Sequence, residues 1–178
     1  MRPAAFLLAL AAAATAQAQF KSDWELKNED RLKQSEERLV PPPPLERAKA
    51  VEVKLHASAD TGFRFFVDPG SVSAGDDRIV RYTLVARSPN GSEYITYEGI
   101  RCPGEYRVYA VARPDGSWGG RASEWRPIPR NANSGQATLA RQYFCPGRAA
   151  VATSAEGQRA VRNGGHPGLF TDSRDNPN

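Results

Sequence analysis

The sequence predicts an α+β fold, an antiparallel sheet of four to five strands with C-terminal helices packed on one face and one disulfide. Short runs of alternating apolar and polar residues fill the middle of the chain, and residues that favour tight turns separate them. Apolar residues at helical spacing follow these runs. Strands joined by tight turns pair antiparallel, and such a sheet has one buried and one solvated face.

Five runs between residues 51 and 113 have the alternation that is typical of strands. The Asn-Gly pair at 90–91 tolerates positive φ and predicts the turn of a hairpin. Gly99 interrupts the fourth run and predicts a β-bulge there. The runs are VEVKL at 51–55, FRFFVD at 63–68, RIVRYTLVAR at 78–87, EYITYEGIRC at 93–102 and YRVYAVAR at 106–113.

Two helices are predicted after the sheet. The run QATLARQYFC, at 136–145, has apolar residues at helical spacing, so this helix can lie on the sheet. In the run SAEGQRAVRNGG, Ser154 is the predicted cap and Gly164 the predicted stop of a second helix. We expect a single domain over residues 45–163 and a disordered, polar tail over residues 164–178.

The N-terminus predicts export. Residues 1–18 combine a basic start, an apolar alanine-rich run and a small-x-small pattern that ends at Ala18. The apolar run is shorter than the about 20 strongly apolar residues that a transmembrane helix needs. We therefore expect a signal peptide cleaved near Ala18, a periplasmic protein, and no transmembrane segment in the mature chain. An uncleaved anchor is the alternative.

Residues 19–44 are predicted to form a charged helix and a polyproline spacer. Charged residues of both signs fill Lys21 to Arg38, and the four prolines at 41–44 end this helix as a stiff, extended segment. A proline run is also a known type of ligand for aromatic grooves, although the spacer is the favoured interpretation.

The composition argues against several classes of function. The chain has a net charge of +4, and its basic residues are spread along the sequence. This distribution does not strongly indicate a protein that binds nucleic acid. The Gly-rich stretches lack the contexts that bind nucleotides, so no cofactor is predicted. Besides its two cysteines the chain has only His56 and His166 as residues of the type that binds structural zinc, so no metal site is predicted.

Cys102 and Cys145 are the only two cysteines. In an exported protein they predict one disulfide bond. In the chain-entropy model a loop of this size stabilises the folded state by about 4 kcal/mol. Cys102 is therefore interpreted as a structural half-cystine and not as a reactive thiol.

The chain also resembles a known family. The segments RYTLVARSPNG at 81–91, EGIRC at 98–102 and YFCP at 143–146 are the most specific parts of a resemblance that runs from Phe63 to Pro146. They resemble the cryptic neisserial protein-like family, small exported proteins of proteobacteria. The resemblance implies a location in the bacterial envelope, supports the pairing of the two cysteines, and brings no catalytic residue with it.

One side of the predicted sheet is the candidate binding face. Arginine and tyrosine side chains alternate outward on its strands, and such side chains dominate the energetics of many interfaces. Arginine also suits carboxylate or phosphate groups of a partner. Charged residues that only keep one side of a sheet soluble are the competing explanation. The candidate residues are Arg81, Arg87, Glu98, Arg101, Arg107, Tyr109 and Arg113.

The sequence leaves two classes of function open. The favoured one is a non-catalytic protein of the envelope that binds another protein or an anionic polymer. The alternative is a small periplasmic hydrolase or lyase that acts through acidic residues such as Asp68 and Glu98. An enzyme is the less favoured class, because no set of nucleophile, base and stabilising group is complete in the sequence.

Overall fold

The computed structural model describes residues 40–55, 62–102, 104–129 and 134–169. The predicted signal peptide and charged helix lie outside these residues. The described part contains one antiparallel sheet of eight strands. The strands are β1 Val51–Val53, β2 Arg64–Val67, β3 Ser73–Ala74, β4 Ile79–Arg87, β5 Glu93–Arg101, β6 Glu105–Ala112, β7 Trp118–Gly119 and β8 Arg126–Pro127.

The long hairpin of β4 and β5 forms the centre of this sheet. The strand order is β1-β2-β4-β5-β6-β7, with β3 paired to β4 and β8 paired to β6. The register of the hairpin runs from Ile79 opposite Arg101 to Arg87 opposite Glu93. Gly91 has a φ of 84° in the connecting turn. The predicted hairpin and its Asn-Gly turn are confirmed.

The predicted number of strands was too low. The five predicted runs correspond to β1, β2, β4, β5 and β6, while β3, β7 and β8 are additional strands of two residues each. A two-residue strand has no visible alternation, and these three lie in segments with many Gly, Pro and Ser residues. They become strands only because a longer neighbour offers them hydrogen-bonding partners.

Both predicted helices are present, but the first is α-helical over only its first half. Helix α1 spans Gly135–Leu139 and continues as a single π-helical turn over Ala140–Phe144. Helix α2 spans Ser154–Arg162. Four 3-10 turns, at Arg47–Lys49, Pro69–Ser71, Pro146–Arg148 and Pro167–Leu169, complete the regular structure. No helix among the described residues is both long enough and apolar enough to cross a membrane.

Helix α2 has well-defined ends. Its cap is Thr153, whose hydroxyl accepts a hydrogen bond from the Glu156 N–H, and not Ser154 as predicted. The Ser154 hydroxyl instead accepts a hydrogen bond from the Ala74 N–H and so links the helix to β3. Gly164 has a φ of 73° and donates its N–H to the Val161 carbonyl, so the predicted stop is confirmed.

The main core lies between the sheet and these helices. Val80, Tyr82 and Leu84 point from β4 to this side and pack with buried residues of the helical region. The rings of Tyr82 and Phe144 have their centres 5.0 Å apart. The Cys102–Cys145 disulfide, with a Cα–Cα distance of 5.7 Å, joins the residue after β5 to the end of the π-helical turn. The predicted pairing of the two cysteines is confirmed.

The other side of the sheet is also buried at its centre. Arg81 and Thr83 are each only 2% exposed, and Val85 and Tyr97 beside them are buried as well. The expectation that this side is solvated is therefore wrong at the middle of β4 and β5. Alternation identifies which residues share a face, and it does not report whether other side chains cover that face.

Ordered structure continues past residue 163, the predicted end of the domain. His166 is buried, its N–H donates to the Gln142 carbonyl, and its ring Nε2 lies 2.8 Å from Glu156 Oε1. The packed part of the chain therefore extends beyond the boundary that the sequence predicted. Residues 170–178 lie outside the described residues.

Candidate binding surface

A β-bulge in β6 sets the geometry of the candidate surface. Tyr97 lies opposite Ala110 while Glu98 lies opposite Val108, so Tyr109 is the extra residue. The bulge is thus on the strand opposite the predicted site, Gly99. A Cβ atom at Gly99 would lie 2.6 Å from Cε2 of Tyr109, so the glycine provides the space that the tyrosine ring occupies.

Three arginines and two aromatic rings meet beside this bulge. The guanidinium carbon of Arg107 lies 5.3 Å from the ring centre of Tyr109 and 5.4 Å from that of Trp125. Arg101 lies 4.2 Å from the Trp125 ring and Arg81 lies 5.5 Å from the Tyr109 ring. Such contacts of cations with ring faces are attractive and gain strength as water is removed. We call these five residues the arginine–aromatic cluster.

Arg81 forms the buried base of the cluster. Its Nη2 lies 2.6 Å from Oδ2 of Asp77 and its Nη1 lies 3.3 Å from Oδ1, which is a two-point contact. The two side chains are only 3% and 6% exposed. A buried guanidinium needs a nearby carboxylate to compensate its charge. Arg81 therefore supports the surface from below and is not available to a partner.

Arg101, Arg107 and Trp125 form the accessible part of the cluster. All three side chains are partly exposed. Arg101 Nη1 lies 3.3 Å from Oε2 of Glu105, and these side chains are 33% and 45% exposed. Exposed ion pairs contribute only about 0–1 kcal/mol, so a partner carboxylate or phosphate can replace Glu105 at small cost.

Arg87 belongs to a different group of side chains, at the far end of β4. Its guanidinium carbon lies 4.7 Å from the Phe66 ring centre, and Arg64 lies 5.3 Å from the same ring. Arg87 Nη2 is 2.7 Å from Glu93 Oε1, and Arg64 pairs with Glu52. Since each of these exposed arginines has a carboxylate partner, this group carries less unbalanced positive charge than its arginine count predicts.

Glu98 does not lie on the candidate face. It is opposite Tyr82 in the register and points into the main core, where it is 3% exposed. The Tyr82 hydroxyl donates to Oε2 at 2.9 Å, the Thr96 hydroxyl donates to Oε1 at 2.8 Å, and Gln136 Nε2 lies 3.3 Å from Oε2. Burial raises the pKa of the Glu98 carboxyl, although these three donors act in the opposite direction.

Arg113 is also absent from the cluster. The bulge shifts the alternation of β6 by one residue, so Ala110 and Ala112 take the side of Arg107 and Arg113 takes the other. A Cβ atom at Gly119 would lie 2.4 Å from Cζ of Arg113, which places the arginine against β7. Its Nη1 donates to the Trp118 carbonyl at 3.0 Å. Of the predicted residues, the structure brings together Arg81, Arg101, Arg107 and Tyr109.

The two acidic residues of the hydrolase alternative have structural roles. Asp68 is buried and its Oδ1 accepts the Gly70 N–H at 2.9 Å, which begins a 3-10 turn. Glu98 is enclosed in the core. Neither residue lines either of two surface clefts of the described region, one of about 400 Å³ near Ile128 and one of about 440 Å³ near Trp118. In the same region there is no group of three His, Cys, Asp or Glu residues that could hold a metal ion.

Two tryptophans belong to this surface although no local sequence pattern predicts a role for them. Trp125 covers Arg101 and Arg107, and the Nε1–H of Trp118 donates to the Pro43 carbonyl at 2.8 Å. Both flank a Gly-rich connection that has little periodicity of its own. A tryptophan beside such a connection indicates a tertiary contact, because a large ring there needs neighbours that the local sequence does not supply.

A known family model matches most of the chain. The model of the CNP1-like family matches residues 29–162, which include all eight strands and both helices. The match contains the whole stretch from Phe63 to Pro146 that carried the family resemblance. No curated protein and no solved structure matches the chain significantly.

Proposed function

We propose that this chain, which belongs to the CNP1-like family, is a non-catalytic, exported protein of the bacterial envelope. It binds a partner that presents carboxylate or phosphate groups. The contact surface is the accessible part of the arginine–aromatic cluster, formed by Arg101, Arg107 and Trp125. Tyr109 and the buried Arg81 position these side chains from below.

The observation that carries this proposal is the stacking of guanidinium groups on fixed rings. Arg101 lies 4.2 Å and Arg107 lies 5.4 Å from the centre of the Trp125 ring. A stacked guanidinium keeps its N–H groups at the edge of its plane, where they can bind a carboxylate or a phosphate at two points. Because the rings already restrict these long side chains, binding costs less conformational entropy than it does for free arginines.

The residue types of the cluster fit a protein partner well. Arginine, tryptophan and tyrosine are the residue types most enriched among those that dominate binding energies. Here they lie together on a partly exposed surface. An anionic polymer of the envelope offers the same charged groups without the apolar contacts that Trp125 can make. A protein segment that presents acidic and apolar side chains therefore uses more of this surface.

Catalysis receives less support from the same geometry. A hydrolase of the alternative type needs two carboxyl groups that both reach a substrate. Asp68 and Glu98 are buried, and each accepts hydrogen bonds from the protein itself. Export is supported by the N-terminal sequence and by the disulfide, which is a bond favoured in oxidising compartments.

Cross-linking of the exported protein in its own cells, followed by mass spectrometry, tests the proposal. We expect a reproducible partner that is lost when Arg101→Ala and Arg107→Ala are combined. Arg126→Ala is the matched control, because Arg126 is exposed and lies outside the cluster. Equal capture by the double variant and the control contradicts the proposed surface, provided that both variants unfold at the wild-type temperature.

A further inference from the structure

Three of the four prolines at 41–44 lie against the domain that follows them, namely Pro41, Pro42 and Pro43. Each proline fixes its own φ, and each residue that precedes a proline is restricted to extended conformations. Val40 to Pro43 are all followed by proline, so this segment is confined to the polyproline II conformation. It has no proline N–H groups to donate, and its carbonyl groups are available as acceptors.

This segment lies beside β7. Val40, Pro41 and Pro42 face the domain across an open space of about 440 Å³. The Nε1–H of Trp118 donates to the Pro43 carbonyl at 2.8 Å. We call this site the proline groove, and its domain wall is formed by Tyr109, Ala110, Trp118, Gly119, Gly120 and Ala122.

Trp118 is positioned through both its ring and its main chain. Its ring centre lies 6.1 Å from that of Tyr97, which is only 1% exposed. On the other side of the strand, Nη1 of Arg113 donates to the Trp118 carbonyl at 3.0 Å. A fixed aromatic ring with an N–H that points at a proline carbonyl is the pattern by which proteins recognise polyproline II segments.

We propose that the proline groove is a binding site for proline-rich segments of another protein, and that the chain's own prolines, through the Trp118–Pro43 hydrogen bond, compete for it as an intramolecular ligand. The segment seated there defines the chemistry of the ligand, a polyproline II stretch with a free carbonyl group. This site goes beyond the surface for anionic groups, because none of the residues that line it is charged.

The covalent link makes the internal prolines a strong competitor. Only residues 45–50 separate them from β1, and a short linker gives an effective concentration on the order of 1 mM. For an intrinsic Kd of about 0.1 mM, the internal segment therefore weakens the apparent affinity for an added peptide by roughly tenfold. A partner with several proline-rich segments, or one that also contacts the neighbouring surface, overcomes this competition.

Titration of the full chain with the synthetic peptide VPPPPL, followed by calorimetry and tryptophan fluorescence, tests the proposal. The variant Pro41→Gly, Pro42→Ser and Pro43→Gly releases the groove, since it removes the restriction to polyproline II. We expect this released variant to bind the peptide roughly tenfold more tightly than the wild type. The peptide VAAAAL is the matched control ligand, and we expect it to bind neither protein.

Two further substitutions in the released variant locate the binding. Trp118→Phe keeps a ring but removes the N–H, and we expect it to weaken binding about threefold to tenfold. Ala122→Glu fills the groove from its partly buried rim and abolishes binding in a protein whose core is unchanged. Equal affinity of the wild type and the released variant overturns the proposal. Absence of binding to the released variant, or binding that both substitutions leave unchanged, also overturns it.

Discussion

At the scale of single residues, we expect the substitution of buried ionisable side chains to change the stability of the protein most. Glu98 lies in the main core with three donors around its carboxylate, while Asp77 and Arg81 compensate each other on the opposite side of the sheet. In the first case the folded protein favours the neutral acid because burial disfavours the charged form. In the second case removal of one side chain breaks a buried, two-point ion pair.

The substitution Glu98→Gln should stabilise the protein in a pH-dependent manner. Burial raises the pKa of Glu98 in the folded state above its ordinary value of 4.5, so its favourable contribution is complete below that value and is lost as the pH rises through the raised pKa. Glutamine does not titrate. The free energy of unfolding of the variant, relative to the wild type, should therefore rise from pH 4 upward, by about 1.4 kcal/mol for each unit of the shift.

Urea denaturation of both proteins at intervals between pH 4 and pH 8 measures this difference. The Thr96 hydroxyl can rotate to accept a hydrogen bond from the new amide while Tyr82 and Gln136 donate to its oxygen, so the variant retains its partners. A difference that stays constant over this range contradicts a raised pKa for Glu98.

The substitution Asp77→Asn should destabilise the protein by about 3–5 kcal/mol, because it leaves the Arg81 guanidinium buried without its charged partner. Glu93→Gln is the matched control. It removes the partner of Arg87 in an ion pair whose side chains are 24% and 42% exposed, and should cost less than about 1 kcal/mol. Chemical denaturation at pH 7 compares the two, and equal costs would show that Arg81 does not depend on Asp77.

At the scale of elements, the bulge in β6 decides which side chains share a face. Simple alternation predicts that Arg107, Tyr109 and Arg113 lie together, whereas the extra residue moves Arg113 to the other side. Gly99 in β5 is the residue from which the sequence predicts a bulge, but the extra residue lies in β6, the strand opposite. A β-bulge is a property of a strand pair, and a pattern read along one strand cannot assign it to a partner.

The substitution Gly99→Ala should destabilise the protein by about 1–3 kcal/mol, since the new Cβ would lie 2.6 Å from Cε2 of Tyr109. Gly104→Ala is the control, because its Cβ would approach the Ile128 carbonyl only to 3.5 Å, an ordinary contact. Thermal unfolding followed by circular dichroism measures both effects. A Gly99→Ala variant as stable as the control would show that the Tyr109 ring does not need this space.

Strands and contacts differed in how well the sequence predicted them. The five longer strands were predicted because their alternation is long enough to be seen, and the turn at Gly91 follows from a local preference for positive φ. The π-helical turn after α1 and the two-residue strands depend on their neighbours in space. Trp118 and Trp125 lie at the candidate surface because of contacts that no local sequence pattern predicts.

At the scale of the whole molecule, the disulfide holds the sheet and the helical layer together. Cys102 follows β5, and Cys145 follows the π-helical turn that packs on the sheet. The combined substitution Cys102→Ser and Cys145→Ser should lower the free energy of unfolding by about 4 kcal/mol. Urea denaturation of the oxidised wild type and of this variant measures the loss. A loss below about 1 kcal/mol would show that the unfolded chain is already constrained without the bond.

We expect the partner to contact the arginine–aromatic side of the sheet. A photoreactive phenylalanine analogue placed at position 125, and in a second protein at position 94, tests it directly in living cells. Tyr94 is 59% exposed and lies on the other side of the sheet, opposite Ala86 in the register. We predict adducts with one reproducible partner from position 125 and none from position 94. Adducts from position 94 alone, or from neither position, would show that the partner does not bind this side of the sheet.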